Sequence, residues 1–252
     1  MTTTLDVTSA AAPAQHLEFP DSDGKPMGET GIHVIQSLDL LAALRWYFRK
    51  RTDVYVGANM FIYFDPTDPT MNFCPDVFVI LGAKPGGERR SWKTWEEGKA
   101  PDVIIEITSK STRRVDTFEK KALYEELGVR EYFLFDPLNE YLRPPLQGYR
   151  YAAGKVLHLT GDVLRSDMLA VELRVKDDGL LHLFDPRTSQ WLWTPAELGE
   201  HAEEEAARAE GERARAEEER ARAEEERARA EAAEAENARL REELTRLRGE
   251  RK

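Results

Sequence analysis

The sequence predicts a mixed α/β domain built round a central sheet and followed by a long charged helix. Three observations carry this expectation. Runs rich in β-formers fill most of residues 54–185, a strand–helix–strand unit spans 102–136, and beyond Trp193 the aromatics stop and a Glu/Arg/Ala repeat begins. Residues 1–26 (MTTTLDVTSAAAPAQHLEFPDSDGKP) read as a flexible lead-in, 27–195 as the globular domain and 196–252 as a helical tail.

From Thr30 to Arg51 apolar residues recur at helical spacing (Ile32, Ile35, Leu38, Leu41, Ala42, Trp46), with Thr30 as the N-cap and cations at the end. VYVGANMFIYF (54–64) and DVFVIL (76–81) then read as strands separated by DPTDPT. A polar loop (82–100) leads to DVIIEIT (102–108). A helix over about 113–127, closed by Gly128, separates that strand from REYFLFD (130–136). YRYA, KVLHL, LAVELRV and LLHLFD continue as short antiparallel strands.

The tail repeats ERARAEE at 212–218 and 219–225. Ala, Glu, Arg and Leu are strong helix formers, and Glu–Arg pairs four apart (204–208, 218–222, 225–229) support a solvated helix. A seam through Ala209, Ala216, Ala223, Ala230, Asn237 and Leu244 turns apolar only near the C-terminus, with Leu240 and Leu247. Weak homo-oligomerisation through 233–248, as a coiled coil, is therefore expected, and the tail's role is an interaction arm.

The net charge is −11, of which 19 Glu against 12 Arg and one Lys place about six in the tail. That balance argues against non-specific nucleic-acid binding unless cations cluster locally. The lone Cys74 suits a reducing compartment, and no stretch has the length and apolarity of a membrane helix or the layout of a secretory signal. A cytoplasmic protein is expected.

Glu106 lies in the middle of the apolar strand 102–108, on the face shared with Asp102, Ile104 and Thr108. A carboxylate there faces water, pairs with a cation such as Arg113 or Arg114, or holds a metal. Asp102 sits four residues away on the same strand, roughly 13 Å off, too far for one ion whose ligands lie at about 2.1 Å. Asp76 opens the preceding strand, also after a proline, and approaches to about 5 Å if the two strands pair. Asp76 with Glu106 is the better pair. Two strand carboxylates without a His or Cys cluster suit a hard cation, Mg²⁺ or Mn²⁺, and a nearby lysine would orient a water and stabilise developing charge.

Pro75-Asp76, a strand ending in Glu106, and a following lysine resemble the PD-(D/E)xK nuclease arrangement. PDVFVI, GKAPDVIIEITSKSTRR, a helix carrying Asp116, Lys120 and Tyr124, and VREYFLFDP are similar, in that order, to the Uma2 family (the DUF820 group of restriction-endonuclease-like proteins). The resemblance covers about 27–195, and PMGETGIH and the charged tail extend it. It implies a restriction-endonuclease-like fold, a metal-dependent endonuclease acting on nucleic acid, DNA before RNA, and a catalytic set of Asp76, Glu106 and Lys120. Asp76 and Glu106 are the implied metal ligands, and Thr108 offers its backbone carbonyl. One position departs from the simple motif: two residues after Glu106 stands Thr108, not lysine. Lys110 and Lys120 are the substitutes, and the family's helical lysine favours Lys120. Asp116, Lys120 and Tyr124 share a helical face at i, i+4 and i+8. Glu29 corresponds to an acidic residue the family places near the site; as a residue at a helix start, it reads equally as a dipole contact. His33, one turn on, reads as structural.

Arg89, Arg90, Lys93, Lys99, Lys110, Arg113 and Arg114 flank the two strands as candidate phosphate contacts. Trp92 and Trp95 either stack on bases or pack as a lid. The rival from another class is a nuclease fold that has lost catalysis and binds partners through its tail. Thr108 and the acidic balance motivate it.

Overall fold

The structure, a computed structural model, describes residues 17–22, 24, 30–108, 119–152 and 154–249, with the side chains of 244–249 excepted. The chain divides into two compact units, Met1–Pro195 and Ala196–Lys252.

The first unit is organised by a six-stranded sheet in the order β1 (Val54–Gly57), β4 (Val77–Leu81), β6 (Val103–Ile107), β7 (Glu131–Phe135), β8 (Leu146–Ala152) and β9 (Lys155–Thr160). Its neighbours are antiparallel except β6 and β7, which run parallel. The crossover between those two contains α3 (Lys120–Glu126), as the strand–helix–strand pattern of the sequence requires. A four-stranded antiparallel sheet, β10 (Val163–Ser166), β11 (Val171–Val175), β12 (Leu181–Asp185) and β13 (Gln190–Trp191), stands on one side. A three-stranded sheet, β3 (Asn72–Phe73), β2 (Ile62–Tyr63) and β5 (Trp92–Lys93), completes the set, with the short α2 (Thr94–Glu97) after it.

Both faces of the large sheet are buried at its central strands β4, β6 and β7, and strand alternation deals residues into two cores. Val77, Val79, Val103, Ile105 and Ile107 join Leu40 and Leu44 of α1 (Gly31–Tyr47) and Leu173, Leu181 and Leu183 of the four-stranded sheet. Phe78, Ile80 and Ile104 join Trp92, Tyr124, Tyr132 and Leu134 on the other side. β6 is therefore buried at all five positions, and the reading of its Glu106 face as solvated is excluded.

The structure departs from the sequence pattern at α1 and at 54–64. The apolar spacing picked out on α1 is not its buried face: Ile35 and Leu38 remain 57% and 55% exposed. The helix turns His33, Gln36, Ser37, Leu40, Ala43 and Leu44 inward instead. α1 is apolar nearly all round, so periodicity does not choose a face, and polar groups do. Gln36 Nε2 donates to the Leu181 carbonyl at 3.0 Å, while its Oε1 accepts from Leu181 N at 2.8 Å, clamping α1 to β12. The second departure is at 54–64, which is not one strand. It breaks between β1 and β2 at Asn59, whose φ of 46° lies in the left-handed region, and the two halves enter different sheets.

Part of the lead-in lies against this unit. The Phe19 ring packs edge-on against Tyr63 and tilted against Trp95, each at 5.1 Å, the Tyr63 hydroxyl donates to the Pro20 carbonyl, and Arg90 binds Asp21 at 2.7 Å.

The second unit is the helix α4 (Pro195–Gly249). Its described side chains from Glu203 to Glu243 are exposed, and two of the expected Glu–Arg pairs form, Glu218–Arg222 and Glu225–Arg229, both at 2.5 Å. Exposed pairs of this kind contribute about 0.3–0.5 kcal/mol each. Leu240 is exposed; the side chains of Leu244 and Leu247 lie outside the described residues. Among the described residues no helix is long and apolar enough to cross a membrane.

Candidate functional site

The site begins with the register of β4 on β6. Val77 opposes Ile105 and Phe78 opposes Ile104, so one further step sets Asp76 opposite Glu106. The hydrogen bonds bear this out. Asp76 N donates to Glu106 Oε2 at 3.3 Å, and Asp76 Oδ2 accepts from the Ile107 N–H at 2.6 Å. Each residue thus binds the other strand through side chain or backbone. Glu106 is 2% exposed and Asp76 8%.

Buried carboxylates require partners, because an isolated charge in a dry site is severely destabilised. α3 supplies two for Glu106. Lys120 Nζ and the Tyr124 hydroxyl both donate to Glu106 Oε1, each at 2.8 Å. The four-residue spacing of Lys120 and Tyr124 sets them on one helical face, as the sequence implies. Packing fixes that face: the Tyr124 ring meets Phe73 at 5.1 Å and Tyr132 edge-on at 4.9 Å. The Tyr151 hydroxyl donates to the Lys121 carbonyl at 3.1 Å and ties α3 to β8. Burial, and secondarily the nearby Glu125, push the Tyr151 hydroxyl well above its ordinary pKa, so it remains a neutral donor.

From the opposite face of the sheet α1 brings His33, whose Nε2 lies 3.0 Å from Asp76 Oδ2. The distance is that of an ion pair, without the alignment of a good hydrogen bond. His33, which reads as structural in the sequence, thus also touches the carboxylate pair. The available signal is its place one turn into a helix whose next inward residues, Gln36 and Ser37, are polar. Two carboxylates, one lysine, one tyrosine and one histidine from four elements thus meet at one place.

The remaining sequence candidates separate cleanly. Thr108 donates its N–H to the Phe135 carbonyl at 2.7 Å, and its buried hydroxyl has no hydrogen-bond partner among the described residues. Glu29, Lys110 and Asp116 lie outside the described residues, as do Arg113 and Arg114. Asp102 is engaged elsewhere: its Oδ2 accepts from Leu81 N and Lys99 Nζ, both at 2.7 Å. Asp102→Ala should therefore cost about 1–3 kcal/mol in chemical denaturation, from stranding two partly buried donors.

The loop cations and tryptophans are largely structural. Arg89 binds Glu97 at 2.6 Å and stacks 4.9 Å from the Trp92 ring centre. Lys93 pairs with Glu96 at 3.1 Å. Trp92 is fully buried and donates its indole N–H to the Lys99 carbonyl at 2.8 Å, which excludes it as a platform for bases. Among the described residues no group of three or more His, Cys, Asp or Glu gathers in a way that could hold a metal ion.

A crystal structure described as that of "a putative nuclease belonging to DUF820 from Anabaena variabilis ATCC 29413" is similar at 17% identity and a TM-score of 0.43, over 58% of this chain and 77% of that one. No curated protein matches. The model of the Uma2 family, described as "Putative restriction endonuclease", matches residues 6–176. That span covers both carboxylate-bearing strands and the lysine helix, and the chain belongs to the Uma2 family.

Proposed function

We propose that the protein is a metal-dependent phosphodiesterase, a DNA endonuclease, with Asp76 and Glu106 as metal ligands and Lys120 as the third catalytic group. The observation that carries this is the pairing of the two carboxylates across the β4–β6 ladder, with an ammonium 2.8 Å from Glu106.

The residues fit a hard divalent cation. The donors are carboxylate oxygens from adjacent strand ends, held without a His or Cys cluster, and this suits Mg²⁺ or Mn²⁺ keeping several waters. Asp76 commits Oδ2 to Ile107 N and His33, which leaves Oδ1 without a partner among the described residues, and the Thr108 carbonyl offers a further oxygen. A bound ion of this kind polarises a phosphoryl oxygen and lowers the pKa of its water. Lys120 holds and orients the attacking water and balances charge that develops on the phosphate. Its flexible stem lets the ammonium reach from Glu106 to that water. Thr108 has no amine to offer, so the lysine role falls to α3.

A second reading has its own support. Arg89, Arg90, Lys93 and Lys99 are all engaged in internal ion pairs, which leaves few free cations for a phosphate backbone among the described residues. In that reading the domain is a binding module, and the exposed α4 recruits partners or a second copy. One experiment separates the two. Purified protein is incubated with supercoiled plasmid, single-stranded DNA and RNA in Mg²⁺ or Mn²⁺, with calorimetric titration of Mn²⁺ alongside. Nicking that requires the metal is expected, strongest on DNA. Absence of cleavage together with absence of metal binding at millimolar Mn²⁺ overturns the enzyme in favour of the module.

A further inference from the structure

Two donors hold the same oxygen of Glu106, and they differ in kind. Lys120 is charged, on a flexible four-carbon stem, with 17% of its side chain exposed. Tyr124 is neutral and fully buried. Its ring is fixed between Phe73 and Tyr132, and its backbone carbonyl accepts from Val129 N at 2.9 Å. The mobile donor is the one the proposed reaction needs elsewhere. Once Lys120 turns to a water or phosphate, Glu106 Oε1 keeps the tyrosine hydroxyl, while Oε2 stays on the side of the Asp76 N–H.

We propose that Tyr124 is a positioning residue of the carboxylate site. Its hydroxyl fixes the Glu106 carboxylate so that the metal-facing geometry persists when Lys120 leaves. The inference rests on the metal-dependent nuclease reading. It also assigns the two donors opposite effects on the ion. An ammonium beside Glu106 repels a divalent cation, whereas a neutral hydroxyl does not and instead orients the ligand. Removing an outer partner of a metal ligand typically costs 10–100-fold in metal affinity.

The test is Mn²⁺ titration calorimetry and plasmid nicking on the full chain, comparing wild type, Tyr124→Phe and Lys120→Met. The phenylalanine ring preserves the packing, and a thermal melt checks it. Tyr124→Phe should bind Mn²⁺ about 10–100-fold more weakly, with its nicking recovering as metal is raised. Lys120→Met should bind Mn²⁺ as tightly as wild type or tighter and lose turnover at every metal concentration. Unchanged Mn²⁺ affinity in Tyr124→Phe overturns the inference while leaving the nuclease reading intact. So does loss of Mn²⁺ binding in Lys120→Met, where the Tyr124 hydroxyl still donates to Glu106 Oε1; this arm decides the matter should the phenylalanine variant not fold. A wild type that binds no Mn²⁺ overturns the nuclease reading itself, and the inference with it.

Discussion

Asp76→Ala should abolish metal-dependent nicking, by at least about 10³-fold, the equivalent of about 4 kcal/mol of transition-state stabilisation. The expectation follows from the ladder: Asp76 is the residue that β4 sets opposite Glu106, and its backbone N–H donates to the Glu106 carboxylate at 3.3 Å. Folding should survive. The substitution strands the Ile107 N–H that Asp76 Oδ2 accepts at 2.6 Å, at a cost of about 1–3 kcal/mol, small against the sheet's two cores. Plasmid nicking against metal concentration, with a denaturant melt of the same sample, separates the two effects. Activity that survives in Asp76→Ala refutes the assigned site.

Gly57→Ala should be among the most destabilising single-methyl changes in the molecule. Gly57 faces Phe78 across the β1–β4 pair, and a Cβ built there would lie 2.4 Å from Phe78 Cζ and 2.7 Å from Cε1. Phe78 is fully buried and has no free space to retreat into, since interiors are close-packed. Overpacking of this kind costs about 1–3 kcal/mol, read as a drop in the urea midpoint at constant slope. Because Phe78 lies two residues from Asp76 on the same face of β4, the strain should also weaken Mn²⁺ binding. A variant as stable as wild type would contradict the packing of β1 over that ring.

The carboxylate site was legible in the sequence because its signals are local and chemically costly. A glutamate within VIIEI needs a reason to be buried, spacing along a strand excludes Asp102, and i, i+4 spacing sets Lys120 beside Tyr124. What the sequence could not deliver depended on how elements turn. α1 has apolar residues on every side, so the inward face was chosen by Gln36 binding Leu181 and His33 meeting Asp76, contacts more than forty residues away in the chain. The split of 54–64 rests on a single left-handed asparagine, and no alternation of residue types announces it. The sequence leaves Trp92 open between a platform for bases and a lid, and reads Arg89 as a phosphate contact; the short β5 folds the tryptophan into the core with the arginine stacked on its ring.

Whether Asp76 and Glu106 hold one divalent cation between them is read from an anomalous difference map of a crystal soaked in Mn²⁺. A single strong peak is expected at the β4–β6 strand ends, within about 2.0–2.3 Å of a carboxylate oxygen from each residue. A map without that peak, or with manganese bound away from this pair, would contradict a shared site there.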